Sequence, residues 1–154
     1  SDKDCEFTVT VGTSGRDAQF ARAVELMLAD AYSTLRVGSV QVAVVCVRDE
    51  GSLVDCCGLA VACAFADADL DVWALPLTCA VFDSQVLADP TRAEAKLSTL
   101  VTVFCGLEGQ VLKVKQQPGG SGATTPAVLR RCLQLALTRA DSLKPLLASA
   151  RRPS

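Results

Sequence analysis

The chain of 154 residues contains no histidine. That removes the side chain most often used as a general base and a common metal ligand, so Ser-His and Cys-His catalysis are excluded. Neither charge is in excess. Fifteen Lys and Arg against seventeen Asp and Glu leave a net charge of −2, so any nucleic-acid contact has to come from a local basic patch. No long apolar run is present: residues 53–66 form the longest, it is broken by Asp55, and it is too short to span a bilayer. No basic segment followed by an apolar signal core opens the sequence, so a soluble, intracellular protein without membrane contact is expected. Internal linkers, low-complexity tracts and repeats are lacking too. A single domain over 1–154 is expected, with residues 150–154 a frayed basic tail.

What is present is apolar. Half of the residues are hydrophobic, which suggests apolar surface left over for partners. Eight cysteines do not form a metal or disulfide framework by their spacing. Cys46, Cys63, Cys79 and Cys105 lie within apolar runs, Cys132 sits on an apolar helical face, and Cys56 and Cys57 are adjacent. Buried free thiols in a reducing compartment, and no metal or cofactor, are the expectation.

Residues 7–11 alternate with period two and read as a half-buried strand. Ser14 is a candidate cap for a helix over 16–35, whose inner face is Phe20, Val24, Met27, Leu28, Ala31 and Leu35. Residues 40–47 are almost continuously β-branched, which predicts a strand buried on both faces. Ser52 is placed to cap a helix over 53–66 that has no polar face and is expected to be covered all round. A meander of about four strands follows over 75–114, punctuated by the corner Asp89-Pro90-Thr91. Gly119, Gly120, Ser121 and Gly122 form a turn, and Thr124 or Thr125 caps a last helix with Pro126 in its first turn. Pro145 is expected to kink that helix or end it early. The order is that of an α+β domain, a mixed sheet packed with helices.

Several segments together resemble the RNase PH family: Glu50-Gly51-Ser52 with Asp55-Cys56-Cys57, Ala80-Val81-Phe82-Asp83, Leu87 to Glu94, Gly109-Gln110-Val111, and Pro118 to Gly122. The resemblance is specific over 51–148. It implies the RNase PH-like (ribosomal protein S5 domain 2-like) fold and similarity to the ring subunits of the eukaryotic RNA exosome. The AVFD, DPT and PGGSG combination most resembles the eighth-component type, a ring subunit whose own active site is lost. Family members carry a further front segment, so the resemblance implies that the matching N-terminal third is missing here.

Active relatives cleave RNA from its 3′ end with phosphate, held at the amino end of the central helix beside an arginine. Here Gly51-Ser52 matches the turn, but Leu53-Val54 stands in the place of the arginine. Relatives also place an aspartate before the strand that begins near Thr99; Ala95 to Thr99 carry no carboxylate. Asp83 and Asp89 read as turn residues. The resemblance therefore implies no catalytic residue, a vestigial phosphate site at Gly51 and Ser52, and a non-catalytic ring subunit. The alternative is a phosphorolytic exoribonuclease whose site is completed by a partner. Arg16 and Arg22 share a helical face that is either solvated or faces RNA, and Arg130-Arg131 and Arg151-Arg152 read the same way. Implied partners are sister ring subunits, S1/KH cap subunits and single-stranded RNA threaded through the ring, in nucleus, nucleolus and cytoplasm.

Overall fold

The computed structural model describes residues 7–12, 18–35, 38–48, 51–120 and 123–150. Strand β1 (Phe7–Gly12) leads to helix α1 (Ala18–Ser33), strand β2 (Val40–Val45) and helix α2 (Leu53–Asp67). Strands β3 (Ala74–Phe82) and β4 (Gln85–Ala88), the short helix α3 (Arg92–Lys96), strands β5 (Thr99–Gly106) and β6 (Val111–Gln117), and helix α4 (Pro126–Ser149) follow. The α+β expectation holds. The candidate cap Ser14, Arg16 and the Arg151-Arg152 tail lie outside the described residues.

The main sheet has the order β4-β3-β5-β6, every pair antiparallel. It is not the sequential meander expected from the strand runs. The two-residue turn Asp83-Ser84, with Asp83 at φ 53°, folds β4 back on β3. The chain then passes through α3, and β5 pairs with the opposite edge of β3, from Ala74↔Gly106 to Val81↔Thr99. Strand β4 covers β3 only from Cys79 to Phe82, so the outer edge of β3 at Pro76–Thr78 is left without a strand partner. Proline is tolerated on such an edge, where no N–H is needed for the ladder.

Both faces of β3 and β5 are buried. One face presents Leu75, Leu77, Cys79, Val81, Val101, Val103 and Cys105 to Val128, Cys132, Ala136 and Ala140 of α4. The other packs Ala74 and Phe104 against Val54, Val61 and Phe65 of α2, with Leu28 and Tyr32 of α1 and Val9 and Val11 of β1 behind them. Phe7 stacks on Tyr32 at 4.5 Å between ring centres, and Phe65 meets Tyr32 edge-on at 5.3 Å. Burying each such side chain stabilises by about 1.5–3 kcal/mol. Helix α2 lies directly on β3 because Gly58 faces Pro76: a Cβ there would come within 2.3 Å of the proline Cδ.

Five further expectations are corrected. Strand β2 pairs in parallel with β1 as a separate two-stranded sheet, and it alternates between half-buried and exposed residues. Helices cover only the side of Val40, Val42 and Val44, so Val45 is 77% exposed. On α1 the buried stripe is Ala21, Val24, Leu28, Ala31 and Tyr32, and Phe20, one residue out of step, is 56% exposed. Helix α2 is open along one face, so Cys56 and Cys63 are exposed rather than buried, and Cys46 is intermediate. Pro145 neither stops nor shortens α4, which continues to Ser149. The carbonyl it leaves unpaired, that of Asp141, belongs to an exposed residue where water can serve. Ser52 forms no side-chain cap on α2. By contrast Thr125 does cap α4, accepting from Val128 N–H at 3.2 Å, with Pro126 first in the helix.

Gly58→Ala forces α2 off β3, and is expected to lower unfolding stability by roughly 1–3 kcal/mol in urea titrations.

Candidate functional site

The amino end of α2 is shaped by a turn rather than by a side-chain cap. Gly51 adopts φ 129°, and Ser52 follows at φ 50°, ψ 46°, in the left-handed region. A capping side chain needs extended backbone at that position to reach the N–H groups of the first turn. The left-handed backbone at Ser52 turns its Oγ away, and no side-chain cap forms. Its hydroxyl donates instead to the carbonyl of Pro90 at 3.2 Å. Asp55 and Cys56 N–H both bond to the carbonyl of Ser52, at 3.1 and 3.2 Å.

The Asp89-Pro90-Thr91 corner is the surface against which this turn closes. A Cβ on Gly51 would lie 2.9 Å from Arg92 N and 3.0 Å from the Pro90 carbonyl, so only glycine permits the approach. Asp89, at φ 55°, donates its N–H to the Thr78 carbonyl at 3.1 Å, which ties the corner to the bare edge of β3. Thr91 caps α3 reciprocally: its Oγ1 accepts from Glu94 N–H at 3.3 Å, and Glu94 Oε2 accepts from Thr91 N–H at 2.7 Å. The spacing Thr91-x-x-Glu94 is a capping box, a signal that announces α3 in the sequence. The nearest carboxylate before β5 is therefore Glu94, and it is engaged in capping. Ser98 donates to the Glu94 carbonyl at 2.8 Å. The loop at Gly119 and Gly120 lies over Leu97-Ser98: Thr99 Oγ1 donates to the Gly119 carbonyl at 2.7 Å, and a Cβ on Gly120 would reach within 1.9 Å of the Leu97 carbonyl.

Sequence reasoning missed the strongest polar feature nearby. Asp55, in the first turn of α2, is 2% exposed. Its Oδ2 accepts from Thr78 N–H and its Oδ1 from Thr78 Oγ1–H, each at 2.8 Å. Thr78 Oγ1 lies 2.9 Å from Thr102 Oγ1, its cross-strand partner on β5. Arg139 of α4 reaches over the bare edge of β3, donating Nη1 to the Pro76 carbonyl at 2.9 Å and standing 3.7 Å from Asp55 Oδ2. Burial pushes the Asp55 carboxyl up to about 6; the Thr78 bonds and Arg139 oppose this, and Asp89 adds to it. The signal was a lone carboxylate in the longest apolar run, facing strands β3 and β5, which carry the buried Thr78 and Thr102.

The predicted site residues do not converge. Gly51 and Ser52 form the turn just described, while Arg22 lies on α1 with its side chain 70% exposed. Its guanidinium is 3.1 Å from Glu25, whose Oε1 accepts from Val11 N–H at 2.8 Å, and that backbone bond holds the Glu25 carboxyl below its usual range. Arg16 is outside the described residues. Among the described residues no cluster of three or more Cys, Asp or Glu could hold a metal ion.

Because the folded-state carboxyl of Asp55 binds its proton more tightly than the unfolded one, stability falls as pH rises from about 4 to about 6, by on the order of 3 kcal/mol. Asp55→Asn is expected to abolish that fall, which urea unfolding at pH 4 to 8 measures directly.

Residues 75–139 match the 3′ exoribonuclease family, domain 2. No curated protein matches the sequence significantly. Among solved structures, rice (Oryza sativa) Rrp46 is similar over 97% of this chain and 77% of its own, with a TM-score of 0.75 at 16% identity. An archaeal exosome core subunit is similar over 95% of this chain and 70% of its own, with a TM-score of 0.69 at 15% identity. The Archaeoglobus fulgidus exosome with RNA bound to its active site supplies a third, over 92% and 71%, with a TM-score of 0.67 at 14% identity. At these identities the likeness is one of fold. Residues 75–139 thus match domain 2 of the 3′ exoribonuclease family, within an RNase PH-like fold similar to those of rice Rrp46 and an archaeal exosome core.

Proposed function

We propose that this chain is a non-catalytic subunit of an exosome-type RNase PH-like ring, building part of the channel that leads single-stranded RNA to a nuclease elsewhere. One observation carries the reading. The turn that would hold phosphate in an active relative is closed onto the protein's own corner, Gly51 against Pro90 and Arg92 and Ser52 bonded to Pro90. Leu53 and Val54 follow it where an arginine would neutralise an anion, and the carboxyl of Asp55 is buried in the same first turn. A carboxylate there already uses the favourable field of the helix end and repels a second anion.

The partners in this reading are sister RNase PH-like subunits and S1/KH cap subunits, in nucleus, nucleolus and cytoplasm. Two of the similar structures are exosome assemblies, which supports ring membership. The AVFD, DPT and PGGSG segments favour the eighth-component position. Exposed Val45, Val47, Phe20, Phe82, Leu87 and Leu97 provide apolar surface for neighbours.

Reconstitution tests the proposal. Mixed with RNase PH-like ring subunits, the chain is expected to co-elute as part of a closed ring. Phosphate-dependent release of nucleoside diphosphates from single-stranded RNA should be unchanged by Ser52→Ala or Arg22→Ala. Diphosphate release that either substitution abolishes would establish the composite enzyme instead.

A further inference from the structure

The charged groups that face Asp55 come from separate elements. Arg139 approaches from α4 and Asp89 from the corner after β4, and the buried thiol of Cys79 on β3 is a further titratable neighbour. The other contacts are neutral hydroxyls and backbone groups of β3 and β5. Arg139 is half-buried, with its side chain 31% exposed, and lines a groove of about 330 Å³ together with Leu77, Asp89, Leu135, Thr138 and Ser142. The guanidinium thus stands 3.7 Å from the buried carboxylate of Asp55 and shares its groove with the exposed Asp89.

We propose that Asp55, Arg139 and Asp89 form a proton-operated latch that fastens the first turn of α2 to the middle of α4 when Asp55 is ionised, and passes Arg139 to Asp89 when it is protonated. The hydroxyl chain makes both states hydrogen-bonded. With Asp55 ionised, Thr78 donates to Oδ1 and its oxygen accepts from Thr102. With Asp55 protonated, the acid O–H donates to Thr78 Oγ1, which in turn donates to Thr102, and no heavy atom has to move. Asp55 and Thr78 keep hydrogen-bond partners in both states, so the proton decides whether Arg139 has a countercharge inside the fold. The bond from Arg139 to the Pro76 carbonyl serves as the pivot in both states. Asp89 is exposed and lines the same groove as Arg139.

The proposal concerns the fold itself and stands whether or not the ring reading holds. Carboxyl carbon NMR on the intact chain tests it, with aspartate labelled and pH varied from 4 to 8. Asp55 is expected to titrate near pH 6. Arg139→Gln should raise that midpoint by about one pH unit or more, and Arg139→Lys should return it toward the parent value. Asp89→Asn, at an exposed site, should lower it and so tests the same geometry with the opposite sign if Arg139→Gln does not fold. The guanidinium proton shifts of Arg139 should follow the Asp55 midpoint in the parent and stay constant with pH in Asp55→Asn. A parent midpoint below pH 4.5, a midpoint indifferent to Arg139 and Asp89, or Arg139 guanidinium shifts that do not follow the Asp55 midpoint would overturn the latch.

Discussion

Helix α2 can rest on β3 only because Gly58 has no side chain where the two cross. A single added carbon would stand 2.3 Å from Pro76, closer than any packed core allows. From this seating follow the burial of both faces of β3 and the division of the core into an α4 side and an α1–α2 side. It also presses the first turn of α2 against Thr78, which is why Asp55 loses water and must be met by backbone, hydroxyl and guanidinium groups. The short pairing of β4 completes the arrangement. By ending at Cys79 it leaves an edge of β3 that Asp89 N–H and Arg139 can both reach.

Much of this was legible in the residues. Runs of β-branched side chains bounded by turn residues located all six strands, and Thr125-Pro126 marked the start of α4. Strand order was not legible, because nothing local tells β5 to return to β3 rather than to β4; that is decided by which edges α3 and the corner leave free. The β-branched run of β2 was read as buried on both faces, whereas propensity reports fitness for a pleated surface and not how many sides are covered. Phe20 shows the same limit on a helix, where hydrophobicity alone did not say which of two adjacent positions lies in the stripe.

The candidate site divides along the same line. Its backbone turn was visible as Gly51-Ser52, and its geometry was not: capping by Ser52 depended on a dihedral that packing against Pro90–Arg92 set to the left-handed region. Asp55 passed as a mere interruption of an apolar run, since its partners Thr78, Thr102 and Arg139 are 23 to 84 positions away in the chain and meet it only after the sheet forms. A turn closed on itself, followed by apolar residues and a buried carboxyl, directs the polar groups at this helix end to internal structure.

The central claim is that the amino end of α2 is occupied by the protein's own corner. Titration of the intact chain with inorganic phosphate at pH 7.5, followed by backbone amide shifts of Ser52 to Cys56, tests it most directly. The account predicts no saturable shift at these residues up to about 10 mM phosphate, an affinity equivalent to less than about 3 kcal/mol of binding. Saturable shifts centred on Ser52 and Leu53 at lower phosphate, lost in Ser52→Ala, would contradict it.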